Sequence, residues 1–188
     1  MLNKPKIIFQ IEQKSEITLN KYSELREIFS RNYKLLKKDT IKSIRYRPHD
    51  LRIRQSYGNY EIVWKSGDPV NIIRKKIIIP ISHKYKLKYF EKLFESLGYY
   101  RESSWKKHRE IYKFSYKSND YYLELQNIED FGYVLEVYHE CDKDESNIHL
   151  ENISAILDIF HCKPINSDDF IKKRNIFIEN EKKESFVN

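Results

Sequence analysis

The sequence predicts an α+β fold in which antiparallel strands are flanked by helices. Several segments alternate apolar and polar residues with a period of two, which is typical of strands with one buried face. Other segments repeat apolar residues every three or four positions, which is typical of helices that pack on a sheet. The strands predicted between residues 105 and 140 follow one another through short turns, so we expect an antiparallel meander there.

Length and composition indicate a single domain over residues 1–188. Its strands and two helices are expected in residues 1–140, and further helices with a tail in 141–188. The 15 Tyr and 10 Phe supply enough buried area for a folded core, although only 40% of the residues are hydrophobic. The net charge of +7 suits an anionic partner such as a nucleotide, a polyphosphate or a nucleic acid.

The sequence does not predict membrane association. No run approaches the roughly 18 apolar residues of a membrane span, and the first residues lack the apolar core of a signal peptide. We therefore expect a cytoplasmic protein, in which Cys141 and Cys162 are free thiols. These cysteines and the neighbouring His139 and His161 do not follow a zinc-binding spacing, so zinc is not favoured.

The first strand is predicted at Ile7–Lys14, and its pattern is unusual. Gln10, Glu12 and Lys14 share one face, while apolar residues occupy the other. Such a polar face either contacts solvent, as in many antiparallel sheets, or binds a charged group.

A helix at Lys21–Ser30, capped by Asn20, is expected after this strand. The next residues predict extended segments at Thr40–Tyr46, Leu51–Arg54 and Glu61–Lys65. Turns are expected between them, at Pro48–Asp50 and at the hairpin signal Tyr57–Asn59.

The strongest helical pattern lies at Lys84–Leu97, which Gly98 is expected to end. A β-branched strand at Ile72–Ile81 precedes this helix.

The predicted meander consists of Trp105–Phe114, Tyr121–Gln126 and Tyr133–Glu140. Two helices follow, one at Ile153–Phe160 and one that begins near Asp168 with Ser167 as its cap.

Charged side chains recur at strand positions of one parity. The bases are Lys14, Arg52, Arg54, Lys65, Lys107 and Arg109, and the carboxylates are Glu12, Glu124 and Glu136. If the sheet closed into a barrel, these residues would line its lumen and suit a dense polyanion such as a triphosphate. Carboxylates could then hold a bridging Mg²⁺ or Mn²⁺. The alternative is the solvent-facing side of a lysine-rich sheet.

Several segments also occur in a recognisable order: IIFQIEQK, then LRIR with a Gly hairpin and WK, RKKIIIPI with a helix ending in LG, KKHREIYKF, and LELQNIEDFGYVLEVY. In this order and spacing the sequence resembles the CYTH superfamily of triphosphate tunnel proteins. That group includes class IV adenylate cyclases, thiamine triphosphatases and inorganic triphosphatases. The resemblance covers Ile7 to about Glu140, and Ile153–Lys173 is similar to the closing helices of the family. It implies an antiparallel β-barrel of the triphosphate tunnel type with flanking helices.

The acidic signature departs from the family pattern. Members begin with an ExExK strand, in which this chain has Gln10 as the first residue. Gln126 stands where the family has an Asp, and Tyr138 stands where it has a second Glu. Glu124 and Glu140 are candidates to compensate for these changes.

The resemblance implies a metal-dependent triphosphate phosphohydrolase that acts on an inorganic or organic triphosphate. Glu12 and Lys14 would be catalytic. Phosphates would bind to Arg52, Arg54, Lys65, Lys107 and Arg109, and Mg²⁺ or Mn²⁺ to Glu12 and Glu136, with Glu124 as a further candidate ligand. Two alternatives remain open because of the replaced acids: a catalytically impaired module that binds a phosphorylated ligand or partner, and an RNA 5′-triphosphatase that binds RNA 5′ ends. The oligomeric state is open as well.

Overall fold

The computed structural model describes residues 4–67, 73–83, 86–141 and 146–185. These residues form eight strands and four helices, in the order β1 (Lys6–Ile17), α1 (Leu19–Asn32), β2 (Lys34–Arg47), β3 (Asp50–Ser56), β4 (Asn59–Lys65), β5 (Ile73–Ile81), α2 (Leu87–Ser96), β6 (Tyr100–Tyr116), β7 (Asn119–Ile128), β8 (Gly132–Cys141), α3 (Ser146–Ile159) and α4 (Ser167–Ser185).

The strands close into a barrel. Their order around it is β1-β5-β4-β3-β2-β6-β7-β8, and β8 pairs with β1 to complete the ring. All neighbouring strands are antiparallel. Closure pairs every strand on both sides, so the sheet has no open edge. The predicted α+β fold with an antiparallel barrel is confirmed.

The apolar core lies between the outer face of the barrel and the helices. α1 and α3 cover β1, β7 and β8, where Ile11, Leu123 and Leu135 pack against helical residues. α2 covers β3 and β4 through Phe94. Successive strand residues point to opposite faces, so the polar residues between these apolar ones face the interior.

The meander is confirmed as β6, β7 and β8, and its strands are longer than predicted. The hairpin at Tyr57–Asn59 is also confirmed. Tyr57 and Gly58 both have positive φ angles, 47° and 78°, as a two-residue turn between twisted strands requires.

The predicted cap of α1 was wrong. α1 begins at Leu19 because the Oγ1 of Thr18 accepts a hydrogen bond from the backbone N–H of Lys21 at 3.2 Å, so Asn20 lies inside the helix. α4 begins at Ser167, and the Oδ1 of Asn166 accepts from the N–H of Asp168 at 2.8 Å. The side chain of Ser167, the predicted cap, lies outside the described part of the structure.

Other helix boundaries also differ from the prediction. α2 begins at Leu87, and residues 84 and 85 of the predicted helix lie outside the described residues, as does Ile72 of the predicted strand. Gly98 follows the end of α2 with a φ of 80°, as expected. α3 starts at Ser146, earlier than the apolar pattern indicated. None of the helices in the described ranges is both long and apolar enough to cross a bilayer.

Candidate functional site

The barrel encloses a cavity of about 140 Å³ to which all eight strands and α4 contribute side chains. It is called the tunnel below. The structure brings every sequence-predicted site residue into its lining: Glu12, Lys14, Arg52, Arg54, Lys65, Lys107, Arg109, Glu124 and Glu136. The three replaced acidic positions, Gln10, Gln126 and Tyr138, line it too. The roles assigned to these residues stay predictions.

Glu12 is held between two lysines. Its Oε1 lies 2.5 Å from the Nζ of Lys14, two residues along the same strand, and its Oε2 accepts from the Nζ of Lys65 at 2.9 Å. Burial alone would raise the pKa of Glu12, but the two ammonium charges outweigh it and hold that pKa well below its usual range. For Lys65 burial dominates over the attraction of Glu12 and lowers the pKa to about 7. The three groups therefore form a tightly coupled, desolvated set.

Glu124 holds the bases of β6. Its Oε1 accepts from the Nζ of Lys107 at 2.9 Å, and its Oε2 lies 3.5 Å from Arg109. Arg109 is anchored from behind by Asp39, whose Oδ1 accepts from its Nε at 2.6 Å. Burial would raise the pKa of Glu124, but Lys107 and Arg109 lower it to about 2.

The two glutamines bind carboxylates. The Nε2 of Gln10 donates to the Oε1 of Glu136 at 3.2 Å. The Nε2 of Gln126 donates at 2.9 Å both to the Oε2 of Glu136 and to the Oε1 of Glu124. The ring of Tyr138 stacks on Tyr122 with 4.9 Å between centroids.

These contacts bear on whether the tunnel fits a divalent cation. Both carboxylate oxygens of Glu12, Glu124 and Glu136 have an N–H donor within 3.5 Å. Among the described residues no three His, Cys, Asp or Glu side chains converge as a metal site would require. Mg²⁺ needs near-octahedral oxygen ligands, whereas the groups that surround these carboxylates are ammonium, guanidinium and amide N–H. The residues as arranged do not fit Mg²⁺ or Mn²⁺.

Glu140, a candidate replacement for the missing acid at Tyr138, is also engaged. Its Oε1 accepts from the Nζ of Lys76 at 3.2 Å. It therefore does not restore the acidic position.

An arginine cluster lies on one side of the tunnel. Its members Arg45, Arg52, Arg74 and Arg174 line the tunnel. Asp50, Glu102 and Arg47 lie behind them and complete the cluster. Asp50 accepts from Arg52 and from Arg74, each at 2.6 Å. Glu102 accepts from Arg47 at 2.8 Å and from Arg174 at 2.5 Å. The five guanidinium groups therefore pair with two carboxylates, so the cluster carries an excess of positive charge.

Arg45 is the least satisfied member of this cluster. Its Nε lies 3.2 Å from Asp50, but its Nη2 is buried without a hydrogen-bond partner, as is the Nε of Arg174. Burial and then the charge of Arg52 lower the pKa of Arg45 to about 9. Both arginines line the tunnel, but these donor atoms are buried in its wall, so an anion in the tunnel would reach them only if the side chains turned.

Sequence reasoning missed four basic residues of the lining: Arg45, Arg74, Lys76 and Arg174. Strand alternation could have indicated the first three. Arg45 is two residues after Ser43 on one face of β2, and Arg74 and Lys76 are two residues apart on one face of β5. Arg174 lies on α4, where strand parity gives no signal. The same holds for Phe170, which adds an apolar wall near Trp105 and Phe131.

No protein-family model and no curated protein matches the sequence. Solved structures do match. A conserved hypothetical protein from Pyrococcus furiosus has a TM-score of 0.67 at 22% identity, over 82% of this chain and 91% of that one. A candidate adenylate cyclase from Vibrio parahaemolyticus has a TM-score of 0.62 at 16% identity, over 87% of this chain and 98% of that one.

A chain of the Schizosaccharomyces pombe Mediator head module is also similar, with a TM-score of 0.60 at 11% identity, over 83% of this chain and 97% of that one. At such identities a likeness shows the fold and leaves the function open. The closed barrel and the likeness to the candidate cyclase agree with the resemblance found in the sequence. The chain therefore has the CYTH-type triphosphate tunnel fold.

Proposed function

We propose that the tunnel binds a triphosphate-bearing small molecule through its lysines and arginines. The observation that carries this proposal is the surplus of buried positive charge in the lining. The bases there are Lys14, Arg45, Arg52, Arg54, Lys65, Arg74, Lys76, Lys107, Arg109 and Arg174, against the carboxylates Glu12, Glu124 and Glu136. Each of these bases has a carboxylate partner, and five of the partners lie outside the lining: Asp39, Asp50, Glu61, Glu102 and Glu140. The ten bases thus face eight carboxylates, three in the lining and five outside it, so an anion that enters the tunnel meets an excess of positive charge in a desolvated site.

The distribution of the bases favours a chain of phosphates over a single phosphate. They come from β1 through β6 and from α4, so they surround the cavity. Arg54, for example, faces the tunnel with a single long ion pair to Glu61 at 3.6 Å. A triphosphate can contact several such groups at once, and each charge-assisted hydrogen bond adds to its affinity.

Hydrolysis of the bound triphosphate, which the resemblance implies for Glu12 and Lys14, stays a prediction. The lining does not fit the divalent cation on which that chemistry depends, so binding is the function that we propose. Binding of RNA 5′ ends stays a prediction as well, because no described contact distinguishes an RNA end from a small triphosphate. Location in the cytoplasm also stays a prediction.

Calorimetric titration with tripolyphosphate, ATP and orthophosphate tests the proposal. We expect tripolyphosphate to bind at least tenfold more tightly than orthophosphate, because it contacts more of the bases. Lys107→Met should weaken tripolyphosphate binding at least tenfold. The matched control is Lys106→Met. The Lys106 side chain is half exposed and paired with Glu129 at 2.6 Å outside the tunnel, so its loss should leave binding unchanged.

Equal losses in the two variants, or no binding to the wild type, would contradict the proposal. Phosphate release measured on the same samples with and without Mg²⁺ determines whether binding is followed by hydrolysis. Release that both variants retain would indicate a contaminant.

A further inference from the structure

The feature that bears on metal use is the position of Gln10 and Gln126 around Glu136. β8, which carries Glu136, lies between β7 and β1 in the barrel, so the two glutamines reach its carboxylate from opposite sides. Each amide binds a different oxygen, Gln10 at Oε1 and Gln126 at Oε2. The carboxylate is therefore clamped by two neutral N–H donors.

Gln126 also links two carboxylates. Its single NH₂ group donates to Glu124 and to Glu136, each at 2.9 Å, which uses both of its hydrogens. A divalent cation that bridged these two carboxylates would need the same space. In this chain the amide occupies that space.

The orientation of the amides follows from their surroundings. Both glutamines are 3% exposed, and the Oε1 of Gln10 is buried without a hydrogen-bond partner. Turning the Gln10 amide by half a rotation would bring its oxygen against the anionic Glu136 and leave the Oε1 of that carboxylate without its donor, which is unfavourable in a desolvated site. N–H groups, which repel cations, therefore face the carboxylates.

A positive charge also lies beside two of the carboxylates. The Nζ of Lys14 lies between Glu12, at 2.5 Å, and Glu136, at 3.9 Å. A cation that entered here would have to displace an ammonium group as well as two amides.

We infer that Gln10 and Gln126 take the place of a divalent cation in this tunnel, so that its anionic ligand binds without Mg²⁺ or Mn²⁺. The glutamines are thus specificity-determining residues: they set the tunnel to accept anions alone. The ligand part of this inference rests on the proposed function, whereas the metal part does not.

Titration with Mn²⁺ alone tests the metal part. In chelator-treated full-length protein, electron paramagnetic resonance of free Mn²⁺ should reveal no tunnel site in the wild type with a Kd below about 1 mM. The double variant Gln10→Glu/Gln126→Glu should bind Mn²⁺ at least tenfold more tightly, and adding Glu136→Gln should remove that site. Saturable binding by the wild type that Glu136→Gln abolishes would overturn the inference. The wild-type titration decides the question even if the double variant does not fold.

Titration with tripolyphosphate in EDTA and in excess Mg²⁺ tests the ligand part. The affinity in EDTA should equal or exceed that in Mg²⁺, and a tenfold loss on chelation would overturn the inference. If tripolyphosphate binds under neither condition, the proposed function fails, and the Mn²⁺ titration still tests the role of the glutamines.

Discussion

Glu12 illustrates how single residues balance charge in the tunnel. Its carboxylate is the nearest counter-charge of both Lys14 and Lys65, and the barrel excludes the water that would otherwise screen them. Period-two alternation predicted that Glu12 and Lys14 share one face of β1, and the resemblance to a known family implied that this face lines a lumen with Lys65. The sequence could not indicate which base pairs with which acid, because those contacts join strands far apart in the chain.

Replacing Glu12 by Gln should destabilise the ligand-free protein by about 3 kcal/mol, because two buried ammonium groups lose their counter-charge. Tripolyphosphate should restore much of this loss, since it supplies negative charge to the same lysines. Urea denaturation with and without tripolyphosphate measures both effects. An unchanged free energy of unfolding would show that solvent already screens Lys14 and Lys65.

Arg45 should behave in the opposite way. Its removal leaves Asp50 with Arg52 and Arg74, while it relieves repulsion among the arginines. We expect Arg45→Met to raise the free energy of unfolding of the ligand-free protein by about 1 kcal/mol and to weaken tripolyphosphate binding.

Arg74→Met is the matched control for this prediction. Arg74 is equally buried but fully engaged, with Asp50 at 2.6 Å and the carbonyl of Ser66 at 2.8 Å, so its loss should destabilise the protein. If both variants lose stability to the same extent, the unpartnered donors of Arg45 do not lower the free energy of unfolding of the ligand-free protein.

At the scale of elements, helix docking depends on charges outside the tunnel as well as on the apolar core. Glu110 on β6 accepts from the Nε of Arg26 on α1 at 3.0 Å and from the hydroxyl of Tyr112 at 2.8 Å, and its Oε1 lies 2.9 Å from the Nζ of Lys38. Apolar spacing predicted α1, α2 and α3, and the N-terminal signal of Ser167, Asp168 and Asp169 predicted α4. It did not predict their ends, because caps such as Thr18 depend on one side-chain hydrogen bond.

Glu110 should make the docking of α1 sensitive to acid. Burial would raise its pKa, but the hydrogen bonds and charges of Arg26 and Lys38 outweigh burial and lower it to about 2. A carboxyl with a lowered folded-state pKa stabilises the protein above its unfolded pKa of about 4.5, and this stabilisation is lost as the pH falls toward 2.

Wild type should therefore exceed Glu110→Gln in stability by about 1 to 2 kcal/mol at pH 7, since Arg26 and Lys38 are partly exposed and screened. The difference should disappear near pH 2. Denaturant unfolding across this range measures it, and a difference that does not vary with pH would rule out the ion pairs as its source.

At the scale of the whole molecule, the barrel places its apolar residues outside, beneath the helices, and reserves its interior for charge. Alternation along each strand predicted one polar and one apolar face, and the resemblance implied that the polar face lines the interior. The strand order, in which β2 pairs with both β3 and β6, could not be derived from local patterns and is seen only in the structure. The contribution of α4 to the lining was missed for the same reason, because it depends on how a distant helix packs on the barrel.

The most direct measurement of the central claim is a crystal structure of the protein with tripolyphosphate, grown in EDTA and then soaked in MnCl₂. We expect the phosphates inside the barrel, within hydrogen-bond distance of Lys107 and Arg109, with Gln126 still donating to Glu136 and no anomalous manganese signal between the carboxylates. A triphosphate on the outer surface, or a manganese ion bridging Glu12 and Glu136, would contradict the account.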